Sequence, residues 1–142
     1  MREALELADA AGRAGEVPVG AVVVRDGEIV GRGSNQCVAK HDPSAHAELV
    51  AIRDACASAG NYRIPGATLY VTIEPCTMCA GALVHARVEH LVFGATEARG
   101  GAVESTARVL ANPHLNHRVE VTAGILADEA EALMQEFFSA RR

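Results

Sequence analysis

The chain has 142 residues and a mass of 14.9 kDa, the length of one domain whose core is large enough to fold without disulfide or metal staples. Apolar residues make up 49% and charged residues 22%, a globular balance that excludes a disordered chain. The net charge of -5 excludes an indiscriminate binder of nucleic-acid backbone, which needs a basic surplus over the whole domain.

Residues 3–13 place Ala4, Leu7, Ala8 and Ala11 at helical spacing, and Gly15 stops the helix. Residues 20–24 form a β-branched run, and Ile29-Val30 begins another. Arg25-Asp26-Gly27-Glu28 joins them as a hairpin with an Asp-Gly turn. A loop is expected from Ser34 to His41. Asp42-Pro43 then reads as N-cap and first helical residue of a helix to about Ser58, with Leu49, Ile52 and Cys56 inward. A strand over 68–73 leads to Pro75, which opens a helix from about Cys76 to Arg87. Leu91-Val92-Phe93 is a strand ended by Gly94. Residues 95–116 are irregular, with a short helix at 105–111, and Val119-Glu120-Val121 is a short strand. The last helix, about 128–141, carries Ala130, Leu133, Met134, Phe137 and Phe138 as a core stripe. Strands separated by helices predict an α/β fold with a mixed five-stranded sheet covered on both faces, in one domain over 1–142.

The four cysteines are Cys37, Cys56, Cys76 and Cys79. The first residues lead into a charged amphipathic segment rather than a secretory signal, and no apolar run approaches a membrane span. The expectation is a cytoplasmic, reduced protein, in which a Cys-x-x-Cys pair implies metal or redox chemistry.

Two segments carry that chemistry, His46-Ala47-Glu48 and Pro75-Cys76-Thr77-Met78-Cys79. Cys76 and Cys79 are three residues apart, on one face of a helix and in its first turn. The positive end of the helix dipole favours their thiolates there. One imidazole and two thiolates suit tetrahedral Zn²⁺. Three protein ligands leave a position open, which marks a catalytic rather than a structural zinc. Zinc lowers the pKa of a bound water to about 7, and Glu48 is the candidate proton acceptor beside it. Other readings of these residues exist. A Cys-x-x-Cys redox pair would leave His46 and Glu48 idle. A structural zinc would need a fourth ligand, for which Cys37, His41 or Cys56 is available. Cys56 falls on an apolar helix face and reads as core, and Cys37 as a free loop thiol.

H-x-E followed by P-C-x-x-C resembles the signature of the zinc-dependent nucleobase deaminases. Along nearly its whole length the chain resembles, within them, the bacterial tRNA-specific adenosine deaminases. The matching stretches are Glu16-Val17-Pro18-Val19-Gly20-Ala21-Val22, Asn35, His41-Asp42-Pro43-Ser44-Ala45-His46-Ala47-Glu48 and Asn61-Tyr62-Arg63. They continue through Leu69 to Ala82, Val92-Phe93-Gly94-Ala95, Asn116-His117-Arg118, Gly124-Ile125-Leu126, Phe137-Phe138 and Arg141-Arg142.

The resemblance implies a three-layer α/β/α, cytidine-deaminase-like fold, a homodimer and one zinc per subunit held by His46, Cys76 and Cys79. It implies hydrolysis of adenosine to inosine at the wobble position of a tRNA anticodon, in an arginine tRNA. Glu48 would protonate adenine N1 and pass a proton to the departing amine. Asn35 would contact the nucleoside, while Val17, Val19 and Ile73 wall the base; ordinary strand packing is the other reading of those three. Asn116, His117, Phe137, Phe138, Arg141 and Arg142 are the expected contacts to the anticodon loop. Glu97 stands where the family usually has Asp, Cys37 where it often has Pro, and Ser139 where a basic residue is common. Rival functions are deamination of a free base or nucleotide, of guanine or cytosine type, and a non-catalytic zinc protein serving as an interaction subunit.

The acidic total is unevenly spread. Residues 85–118 hold four Arg (Arg87, Arg99, Arg108, Arg118) against three acids (Glu89, Glu97, Glu104), and four of the six His. That distribution leaves room for a compact, mildly basic RNA site.

Overall fold

A computed structural model describes residues 1–142. Helix α1 (Arg2–Arg13) precedes strands β1 (Gly20–Arg25) and β2 (Glu28–Ser34). Next come the short α2 (Cys37–Lys40), α3 (Ala47–Ala59), β3 (Thr68–Ile73), α4 (Thr77–His85) and β4 (His90–Ala95). A single 3-10 turn (Val109–Ala111), β5 (Glu120–Thr122) and α5 (Ala127–Ser139) complete the chain. The five strands form one sheet in the order β2-β1-β3-β4-β5. β1 pairs antiparallel with β2 and β3, whereas β3, β4 and β5 run parallel. Helices α1 and α5 pack on one face, and α3 and α4 on the other. This is the three-layer mixed sheet expected.

The hairpin forms at the Asp-Gly turn. Asp26 and Gly27 both have positive φ, 54° and 77°, the backbone that a tight two-residue connection requires. Leu69 and Val71 of β3, and Leu91 and Phe93 of β4, are fully buried. Each contributes about 1.5–3 kcal/mol on leaving water. Beneath β2 the packing is of another kind. A Cβ at Gly31 or Gly33 would collide with the main chain of α3 at Ala51 or Ala47. The helix therefore lies directly on the strand, along the face of Ala47, Ala51 and Ala55.

Several boundaries differ from the sequence expectations. The helix expected from Asp42 begins at Ala47, with His46 as its N-cap in an extended conformation. Asp42 Oδ1 instead accepts the Ser44 N–H at 2.8 Å and its Oγ–H at 2.7 Å. Cap chemistry is present there, but it closes a local turn. Leu49 and Cys56 are only half-buried, because the alanine face of α3 is the one that meets the sheet. The expected loop 34–41 contains α2, whose Val38 and Ala39 N–H groups reach the buried Glu16 carboxylate at 3.0 and 2.8 Å. The helix expected at 105–111 is reduced to the 3-10 turn. The stripe on α5 is core only in part: Ala130 is buried and Met134 packs against the core, whereas Leu133 and Phe137 are half-buried and Phe138 is 46% exposed. No helix is long and apolar enough to cross a membrane.

Candidate metal centre and substrate cavity

Antiparallel pairing of β1 with β2 and β3 brings three chain segments to one edge of the sheet. These are the start of β1, the residue after β2, and the end of β3. The N-termini of α3 and α4 open at the same edge. His46 is the N-cap of α3 and Cys76 the N-cap of α4. Asn35 links these pieces: its N–H donates to Val19 O at 3.1 Å, and its Oδ1 accepts the Ala47 N–H at 2.8 Å. The first amide of α3 is thus satisfied by a side chain twelve residues upstream.

The donor atoms of His46, Cys76 and Cys79 lie within 4.8 Å of one another. His46 Nδ1 stands 3.6 Å from each thiol sulfur. A tetrahedral ion with Zn–N and Zn–S bonds of about 2.0–2.1 and 2.3 Å separates such ligands by about 3.6 Å. The three donors therefore fit zinc in both kind and spacing. The hydrogen bond between the two sulfurs lowers the Cys76 pKa to about 5, aided by the Cys79 and Met78 amides. The same bond, with burial, pushes the Cys79 thiol up. Cys76 is the thiol poised to ionise first, and cation binding draws off the second proton.

Glu48 lies one residue inside α3, 4% exposed. Burial raises its carboxyl pKa above the usual range. Beside it opens a cavity of about 340 Å³, also lined by Val19, Asn35, His46, Ile73 and Cys76. Glu74, Glu97, Gly100, Met134 and Phe138 complete its wall. Apolar walls with a few convergent polar groups suit a flat heterocycle.

The other expected site residues are dispersed. Val17 does not line the cavity; its carbonyl accepts the Val19 N–H at 2.8 Å. Phe137 and Phe138 meet edge to face at 5.2 Å, yet they serve different clefts. Phe138 faces the cavity, and Phe137 lies toward α1 beside Gly12 and Pro18. Arg141 folds back over the Phe137 ring, 3.5 Å from its centroid, and donates to Phe137 O. Arg142 borders a second cleft, which shares Ile73, Glu97, Met134 and Phe138 with the wall of the cavity. Asn116 is exposed, and the His117 ring lies 2.7 Å from Val88 O.

The sequence reading missed Glu74, Gly100 and Met134 as parts of the wall. Glu74 is 4% exposed. Burial alone would raise its pKa, but hydrogen bonds from Ser105, Glu104 and Glu97 override burial and hold it at about 2. A carboxylate at the end of an apolar strand, next to Pro75-Cys76, was the available signal.

A family model described as MafB19-like deaminase matches residues 1–142. The chain is 49% identical to the tRNA-specific adenosine deaminase of Haemophilus influenzae over 143 residues, covering 100% of this chain and 83% of that protein. It is 45% identical to the tRNA-specific adenosine deaminase of Bacillus subtilis over 138 residues, covering 97% of this chain and 86% of that protein. A solved structure from studies of A-to-I editing by tRNA:A34 deaminases at the wobble position of transfer RNA superposes with a TM-score of 0.91. Its identity is 45%, over 94% of this chain and 96% of that one. The guanine deaminase of Nitrosomonas europaea superposes with a TM-score of 0.85 at 27% identity, over 97% of this chain and 82% of that one.

Proposed function

The chain belongs to the MafB19-like deaminase family, and from that premise we propose that it hydrolyses adenosine to inosine at the wobble position of a tRNA anticodon. The observation that carries this reading is the coincidence of three zinc-type donors, a buried carboxylate and a base-sized cavity, in a chain 49% identical to a tRNA-specific adenosine deaminase. In this reading residues 1–142 act as one deaminase domain in the cytoplasm, working as a homodimer on the anticodon loop.

His46 Nδ1 and the Cys76 and Cys79 sulfurs would hold the zinc, with Glu48 as the acid–base. When bound there, zinc supplies the Lewis acidity that brings the pKa of a water down to about 7. Glu48 takes a proton from the attacking water and delivers it to adenine N1 as the oxygen adds to C6. It then takes the proton of the new C6 hydroxyl and passes it to the exocyclic amine, the C6–N bond breaks as C6=O forms, and ammonia leaves. Adenosine and water give inosine and ammonia, and Glu48 returns to its starting state. Asn35 spends its oxygen on the Ala47 amide, so its NH₂ is left to meet an acceptor on the purine. Val19, Ile73, Met134 and Phe138 flank the base and exclude bulk water. An anticodon loop suits such a cavity because its bases are unpaired and splay out at low cost.

The superposition with a guanine deaminase supports a second reading, deamination of a free purine. The zinc-loaded protein is incubated in parallel with an anticodon stem-loop bearing wobble adenosine and with guanine, and products are read by mass spectrometry. Inosine in the stem-loop is the expected result. Deamination of guanine with an untouched stem-loop would overturn the proposal.

A further inference from the structure

The cavity has one wall with almost no regular structure, the loop of residues 97–105 between β4 and the 3-10 turn. Glu97 and Gly100 of this loop face the cavity together with Glu74. Gly101, Ala102 and Val103 are buried, Glu97 is half-buried and Ala98 to Gly100 are exposed. Inside the loop the Glu97 carboxylate accepts the Arg99 and Gly100 N–H groups, and Thr106 Oγ1 donates to Gly101 O.

One carboxylate gathers it. Glu74 Oε1 accepts the Glu97 N–H at 3.0 Å and the Ser105 Oγ–H at 2.6 Å. Its Oε2 accepts the N–H groups of Val103, Glu104 and Ser105 at 3.1, 2.8 and 2.9 Å. Both ends of the loop thus close on the same group. The main chain at Gly101 passes so near that a Cβ there would strike the Glu74 carboxyl. The next residue of the strand-to-helix link takes part as well, since Pro75 O accepts the Ala102 N–H at 2.8 Å.

An ionised carboxylate offers about four acceptor sites, and five hydrogen bonds fill them. Glu74 therefore has no capacity left for a metal ion or for substrate. What remains is mechanical. The group sits between the end of β3 and Cys76, so the loop is registered on the segment that also carries Cys76 and Cys79.

We propose that Glu74 is a positioning residue for the substrate: by gathering the main chain of residues 97–105, its carboxylate sets the distance between the loop wall of the cavity and the metal-binding end of α4. The wall then meets the base and its flanking backbone pre-formed, and ordering it costs nothing at binding. This inference rests on the deaminase reading above for its substrate, though not for its structural part.

The test compares wild type, Glu74→Gln and Ser105→Ala, all zinc-loaded. Gln replaces one acceptor oxygen with an NH₂ that faces N–H donors, whereas Ser105→Ala removes one hydrogen bond and leaves four amides held. Zinc content, hydrogen–deuterium exchange across 97–105, and kcat and KM on the anticodon stem-loop are measured. E74Q is expected to keep its zinc, lose exchange protection through the loop, and raise KM roughly tenfold with kcat within about twofold. S105A should move exchange and KM in the same direction by a smaller step. Protection unchanged in E74Q, or a loosened loop with unchanged KM, would overturn the proposal. If E74Q does not fold, S105A decides by the same two readouts. If wild type deaminates guanine and leaves the stem-loop untouched, the substrate reading has failed, and KM for guanine together with exchange still tests Glu74.

Discussion

Asn35 Oδ1 accepts the backbone N–H of Ala47 at 2.8 Å, so the residue that ends the β-hairpin seats the helix that presents His46 and Glu48. One side chain thereby does two things: its oxygen holds the helix, and it lines the cavity, where the proposed reaction assigns its NH₂ to the purine. Substitution separates these roles. Asn35→Ala should lose the helix contact, at a cost of about 1 kcal/mol, and lose turnover as well. Asn35→Asp keeps an acceptor at the positive end of α3, so thermal melting should change little while kcat/KM falls about tenfold. Equal losses of stability in both variants would refute the division.

Glu48→Gln preserves shape and burial but cannot carry a proton. Zinc content by elemental analysis should match wild type, and inosine formation should fall by at least about a hundredfold. Turnover near the wild-type rate would remove Glu48 from its proposed role.

Stripping the metal with a chelator should abolish turnover and lower the melting temperature, and added zinc should restore both. At free zinc a thousandfold above Kd the stabilisation is about 4 kcal/mol. Cys79→Ala should neither bind zinc nor respond to its addition. A melting curve indifferent to zinc would show that the three donors do not form a metal site.

The charge distribution makes a claim about RNA affinity. A chain with net charge -5, whose mildly basic stretch 85–118 carries four Arg against three acids, should neutralise few phosphates. Stem-loop affinity measured against salt should give a log–log slope of about -2 to -4. A slope near -10 would mean a far larger basic surface than Arg87, Arg99, Arg108, Arg118, Arg141 and Arg142 provide.

Local chemistry was legible in the sequence, and remote partners were not. Asp26-Gly27 specifies its turn by its own backbone preferences, and the hairpin follows. Cys76 and Cys79 announce themselves because Cys-x-x-Cys at a helix start brings two thiols together, Cys76 as the extended N-cap and Cys79 in the first turn. The start of α3 was misplaced because Asp42 and Ser44 carry the same hydrogen-bonding groups as a helix cap, while the real partner of the first amide, Asn35, lies outside any local window. Periodicity marked Met134 and Phe138 as a helix face, yet it says nothing of whether that face meets core or cavity. Glu74 could be noticed beside Pro75-Cys76, but its task could not, since its partners lie 23 to 31 residues further along the chain.

The contact of α3 with Gly31 and Gly33 has a bearing on how freely this chain can vary. Where helix and sheet are spaced by interlocking side chains, each change of size in the core moves the helix. Here the spacing is set by one backbone resting on another. Main chain on main chain leaves no side-chain volume to vary at that contact. The residues that hold the spacing are two that have no side chain to exchange.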